Sequence, residues 1–242
     1  MITILVQAAD GAVLASAEHP EEALLSVDRV YEPGDVIRIS GAKHLTVQMD
    51  QSIPAGEHRL AYAPGLFDQP RHIIRAAAVP EETLREVRNV ALNPADLRGD
   101  TDFFPHCTAN VETRNEACFC ARNVIDGLRH NTFHGEWPFE SWGIGAREDA
   151  WCLLDLGRPV VAERMALTLR ADFPHDAYWV SGHAVLSDGT ELSFDLEKTG
   201  DRQWIDLGNR TVRWLRLERM IKSDDPSAFP ALRQWEVFGR EA

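Results

Sequence analysis

Three stretches of this 242-residue chain hold the side chains that could do chemistry. In the first, His134-Gly135-Glu136-Trp137-Pro138-Phe139-Glu140-Ser141-Trp142-Gly143, large aromatics are crowded among glycine and proline, which excludes a regular central strand and makes the stretch a loop. Indole faces stack on the C–H face of a pyranose while acids and imidazoles hydrogen-bond its hydroxyls, so His134, Glu136, Trp137 and Trp142 form a candidate sugar-binding set. The plainer alternative is that the rings close one end of a β-structure. In the second, from Arg170 to Trp179, the chain leaves one strand, turns at Pro174 and enters the next. Arg170, Asp172, His175 and Asp176 supply donors and acceptors suited to a polyol beside Trp179, unless an Arg–Asp pair merely holds the loop. The third runs from Phe104 to Arg114 and adds His106, with Asn110, Glu112 and Arg114 on one side of a strand by alternation. All three are expected to converge on one end of the C-terminal domain.

Two arrangements would make these loops catalytic. His130, His134 and Glu136, joined by His106 or His175, could hold a transition metal with an open water position. Against this, H-x-x-x-H lacks a glutamate directly after the first histidine, and Gly135 and Pro138 oppose the helix that aligns ligands at i and i+4. Glu136 and Glu140 could act as acid and base in glycoside cleavage, at a separation that a loop sequence does not define. Binding without catalysis is therefore favoured, with a metal-dependent hydrolase acting on a sugar derivative as the alternative, and a structural or oligomerisation module, possible as a homo-oligomer through its aromatics, as the third. Cys107, Cys118, Cys120 and Cys152 contain no C-x-x-C pair. Cys118 and Cys120 would share a strand face and could join Cys107 and His106 on a metal, although buried reduced thiols account for them without one.

The elements that must position these loops are strands. Short alternating runs at Ile2 to Ala8, Ala23 to Tyr31, Asp35 to Ser40, His44 to Met49, Glu57 to Ala63 and His72 to Ala78 are separated by Gly/Pro turns, which predicts a small N-terminal β-sandwich or barrel over residues 1–80. A proline followed by acids at 80–82 marks a linker over 81–87. From 88 to 242 lie the runs Trp151 to Leu156, Arg164 to Arg170, Tyr178 to Leu186, Glu191 to Leu196, Gln203 to Leu207, Val212 to Leu217 and Leu232 to Phe238, with Ser187-Asp188-Gly189-Thr190 as a tight hairpin turn. All seven tryptophans and all four cysteines lie in this second part. Over the whole chain, 38 acids against 25 bases give a charge of −13, which disfavours nucleic acid and anionic membranes as partners. The N-terminus has no basic, cleavable leader, and the expectation is a cytoplasmic protein.

The strings Ala121-Arg122-Asn123-Val124-Ile125-Asp126-Gly127, Ala150-Trp151-Cys152-Leu153-Leu154-Asp155-Leu156-Gly157-Arg158-Pro159-Val160 and Gln234-Trp235-Glu236-Val237-Phe238-Gly239, opened by Arg88-Asn89-Val90-Ala91-Leu92-Asn93-Pro94, resemble the discoidin, or coagulation-factor type C, domain. The resemblance covers about residues 88–242 and implies a galactose-binding-like jelly-roll β-sandwich that binds a carbohydrate through loops at one end, without catalysis. It also implies a structural calcium on the Asp126 carboxylate, the Thr132 hydroxyl and the Leu128 carbonyl. Gln234 stands where the family often has a glutamate on the last strand, a substitution that lowers the charge available to calcium.

Overall fold

A computed structural model describes residues 1–42, 44–49, 71–94, 96–99, 101, 104–129, 141–171 and 177–242. They divide into two compact units, Met1–Thr83 and Leu84–Ala242, and the division falls inside the one-turn helix α1 (Glu81–Arg85). Both units are antiparallel β-structures, so the all-β reading of the sequence holds.

The N-terminal unit has β1 (Ile2–Gln7), β2 (Val13–His19), β3 (Glu22–Asp28), β4 (Val36–Ser40), β5 (Leu45–Gln48) and β6 (Arg71–Ala78), arranged as two three-stranded sheets in the orders β2-β1-β4 and β3-β6-β5. Alternation sends Ile2, Ile4 and Val6 of β1, Ala23, Leu25 and Val27 of β3, and Ile74 and Ala76 of β6 into one core. The sequence reading misses β2, because an edge strand that buries little carries a faint apolar signal. The run Glu57 to Ala63 lies outside the described residues.

The C-terminal unit has β7 (Arg88–Asn89), β8 (His106–Ala109), β9 (Trp142–Gly143), β10 (Cys152–Leu169), β11 (Trp179–Leu186), β12 (Glu191–Asp195), β13 (Gln203–Lys222) and β14 (Ala231–Glu241). Its two long strands pair along most of their length and bend together. Cys152–Asp155 lies between β8 and the 214–217 part of β13, whose end continues to β11 and then β12. Beyond the bend, residues 160–169 of β10 lie between the 203–212 part of β13 and β14, which carries β7 and β9. The shared ribbon thus folds into two layers, and Leu154, Leu156, Ala184, Leu186, Leu215 and Leu217 of one share a single core with Met165, Leu167, Trp235 and Val237 of the other.

Four of the expected runs are therefore halves of two strands. Gly157 sits at the bend with φ +67°, and a Cβ there would meet the Phe104 ring at 2.4 Å. Glycine at this position re-aims a continuous strand instead of ending it.

Candidate functional site

The strand ends gather at one end of the C-terminal unit. Asn110 donates its backbone N–H to Trp151 O (3.3 Å), Arg170 to Ala231 O (2.9 Å) and Ser223 to Tyr178 O (2.9 Å). The Trp142 indole donates to Val111 O at 2.8 Å, and its ring centroid lies 6.3 Å from that of Trp179. The described parts of the three sequence-chosen stretches meet here, but their rings meet as core. Trp142 and Trp179 are both 0% exposed, which corrects their assignment to a ligand: a ring without solvent contact presents no face to a sugar. His130, Thr132, His134, Glu136, Trp137, Glu140, Asp172, His175 and Asp176 lie outside the described residues.

Asn110, Glu112 and Arg114 do not share a strand face. The strand stops at Ala109 and gives way to a 3₁₀ turn, Thr113–Asn115, in which Arg114 and Asn115 take positive φ. Asn110 is a loop clamp, donating to Asp149 O (2.8 Å) and accepting from Trp151 N (2.9 Å). Glu112 pairs with Arg98 (2.6 Å) and accepts from Ala121 N (2.9 Å), so it fixes two loops together. His106 and Arg170 are buried as well. His106 Nδ1 lies 2.7 Å from the Asp96 carboxylate, which also accepts from Cys107 N (3.0 Å); burial raises the Asp96 carboxyl and the imidazole partly offsets the rise.

Among the described members of the sequence-chosen set, Arg114 is exposed and lines a cleft. A cleft of about 220 Å³ is lined by Thr113, Arg114, Phe119, Gly143, Ile144, Gly145, Ser227, Phe229, Pro230 and Ala231. Its shape follows from local backbone: Thr113 Oγ1 accepts from Gly145 N (2.8 Å), and Gly143 lies so near that a Cβ would stand 2.7 Å from the same oxygen. The Arg114 guanidinium lies 5.0 Å from the Phe119 ring centre and forks onto Glu116 at 2.7 and 2.9 Å, which holds that carboxyl below its ordinary range. Phe229 is 55% exposed at this cleft. The arrangement combines an aromatic surface, a guanidinium and two hydroxyls, the inventory of a small polar ligand site.

Among the described residues the cysteines do not assemble a metal site. Cys107 and Cys152 lie Sγ to Sγ at 3.5 Å inside the core, where burial pushes the Cys107 thiol well above its ordinary range. Cys118 and Cys120 sit in and just after the 3₁₀ turn Ala117–Phe119, not on a strand, and both thiols are likewise raised by burial. Among the described residues no three His, Cys, Asp or Glu side chains are grouped to hold a metal ion.

The calcium set implied by the resemblance is described in part. Asp126 accepts from Leu128 N at 2.8 Å, and burial raises its carboxyl to about 6, with Arg233 and Arg122 acting in the opposite sense. Gln234 is fully buried, donates Nε2 to Val124 O at 2.5 Å and leaves Oε1 without a hydrogen-bond partner. That amide orientation is imposed, because a flip would set oxygen against oxygen. A half-buried carboxylate and an orphaned amide oxygen are hard donors of the kind calcium takes, whereas the two arginines oppose a cation.

No protein-family model matches the chain, and none of the curated proteins does. Solved structures similar to it include chitosan-binding module 1 of a chitosanase/glucanase from Paenibacillus sp. IK-5, at 21% identity over 63% of this chain and 99% of that one, TM-score 0.43. A fucose-binding module from Streptococcus pneumoniae matches at 18% identity over 64% and 96%, TM-score 0.44. The family 32 carbohydrate-binding module of C. perfringens NanJ, solved with galactose, matches at 13% over 55% and 91%, TM-score 0.42.

Proposed function

We propose that the C-terminal unit binds a carbohydrate, without cleaving it, in the cleft between Thr113–Phe119, Gly143–Gly145 and Ser227–Ala231. The observation that carries this reading is that the exposed Phe229 ring and the Arg114 guanidinium line one cleft. A pyranose has an apolar C–H face for the first and hydroxyls for the second. The named lining includes no carboxylate or imidazole, and the neighbouring Glu116 is engaged by Arg114, so the cleft supplies stacking and hydrogen bonds rather than acid–base chemistry. The discoidin resemblance of residues 88–242 supports the same reading.

The test is calorimetric titration against galactose, fucose, glucosamine and their short oligomers. A saccharide should bind, and Phe229→Ala and Arg114→Ala should each weaken it at least about tenfold, or ~1.4 kcal/mol, with the melting temperature nearly unchanged. Release of products from chromogenic glycosides, or no binding by any saccharide, would overturn the proposal. We also propose a structural calcium held by Asp126 and Gln234, which would supply charge neutralisation there. Chelator should then lower the melting temperature of the wild type and leave that of Asp126→Ala unmoved.

A further inference from the structure

The outward face of the second layer of the C-terminal unit carries a group of side chains that the cleft does not use. In register across β13, β10 and β14, one row reads Trp204, Ala166, Glu236 and the next reads Asp206, Arg164, Phe238. Their neighbours Ile205, Met165 and Val237 point inward to the core. Ala166 is small, and over it the Arg164 guanidinium lies 4.3 Å from the Trp204 ring centre while the Phe238 ring tilts against Trp204 at 5.2 Å. Arg202 lies 5.8 Å from Trp204 and 5.9 Å from Phe238.

The charges on this face are unevenly matched. Arg202 is bound by a fork to Glu236 at 2.6 and 2.7 Å. Asp206 stands opposite Arg164 in the ladder, yet its carboxylate turns back to accept from Gly208 N at 2.8 Å. Among the described residues Arg164 makes no ion pair, in a chain whose formal charge is −13. A guanidinium held over an indole keeps its N–H fork free for an anion in the ring plane. Trp204 is itself 46% exposed, which is high for a residue of its size.

We propose that this face is a second binding surface, separate from the cleft, for a sugar ring that bears a carboxylate, with Trp204 and Phe238 as the apolar platform and Arg164 as the counter-charge. A hexuronate meets both requirements, because its ring stacks while its carboxylate accepts two parallel N–H bonds from Arg164. None of the residues lining the cleft belongs to the face. The two sites therefore stand or fall separately.

The experiment titrates trigalacturonate, and the same trisaccharide with its carboxyls reduced, into the whole chain. The acid is expected to bind and the reduced sugar to bind at least about tenfold more weakly on this face, with the acid's affinity falling as salt rises. Arg164→Gln should cost about tenfold and remove most of the salt dependence, Trp204→Ala should cost a similar factor, and Phe229→Ala should change nothing. Arg164 is exposed, so its variant should melt with the wild type and report on binding alone. Equal binding of acid and reduced sugar by Phe229→Ala, in which the cleft is disabled, an Arg164→Gln affinity within twofold of wild type, or no heat from the acid would overturn the proposal and leave the cleft untouched. If Phe229→Ala abolished binding of the acid, the ligand would sit in the cleft, and the proposed face would be refuted while the cleft reading gained.

Discussion

Trp142→Phe separates a core ring from a ligand platform at the position where sequence and structure disagree most. The indole is fully buried and donates to Val111 O at 2.8 Å. Replacing it by phenyl removes that bond, worth ~1 kcal/mol. The smaller ring also leaves roughly 40 Å³ unfilled beside Trp179, which at ~24 cal/mol per Å³ costs ~1 kcal/mol more. A loss of ~2 kcal/mol in a unit of this size lowers the melting temperature by roughly 4–8 °C. Urea denaturation followed by tryptophan fluorescence, with calorimetry as a second probe, measures both quantities. Phe229→Ala is the control: its ring is 55% exposed, so stability should change by less than ~1 kcal/mol while saccharide affinity falls. If Trp142→Phe cost less than ~0.5 kcal/mol and saccharide affinity dropped by more than about tenfold, the burial argument would be refuted.

Three further outcomes follow from groups in the C-terminal unit. Asp126 has a folded-state carboxyl raised to about 6 from the ordinary 3.8, so the folded protein holds that proton more tightly than the unfolded chain. In chelator, stability contributed by this group should therefore be lost as pH rises from about 4 to about 6. The slope should be absent from urea midpoints of Asp126→Asn, and parallel curves for the two proteins would count against it. Asp96→Ala strands His106 Nδ1 and Cys107 N in the core and should cost ~2–4 kcal/mol by denaturant titration. Gly239→Ala sets a Cβ 2.3 Å from Val161 O, a backbone atom held by the β10–β14 ladder, and should fail to give a cooperative calorimetric transition for the C-terminal unit; a transition like the wild type's would contradict the geometry.

What was legible in the sequence was alternation, and alternation reports only which side of a strand faces the core. Leu215 and Leu217 are buried and Arg216 and Glu218 are not, as their phase requires, and Asp188 closes the β11–β12 hairpin through Thr190 N at 2.9 Å. Continuity was not legible. Gly157-Arg158-Pro159 and Gly208-Asn209 have the composition of turns, but here they bend strands whose ladder partners resume on the far side. Nor was the break after Ala109 visible, because Asn110 to Arg114 alternates as a strand would until Arg114 takes a positive φ. The polar residues of that stretch were then read as one face, whereas Asn110 and Glu112 secure different loops and Arg114 lines the cleft.

The aromatic residues show why a site is harder to read than a fold. Trp142 and Phe229 are each an aromatic residue close to a proline in the sequence, yet one is buried and the other open. The difference is set by a partner 31 residues away, since Val111 O accepts the Trp142 indole and draws it inward, an event no local pattern encodes. Asp225-Pro226-Ser227-Ala228-Phe229-Pro230 nonetheless carried the same signal that singled out 134–143, a ring in a hydrophilic, proline-flanked loop. Trp204 was readable too, because Gln203-Trp204-Ile205-Asp206-Leu207 places it in phase with Asp206 and against Ile205 and Leu207. A tryptophan on the polar phase of a strand must either be covered or present a surface, and nearly half of this one is open. Aromatics are therefore informative about binding where they break the alternation around them, and Trp204 and Phe229, rather than the rings that obey it, are the residues on which ligand binding by this chain is to be tested.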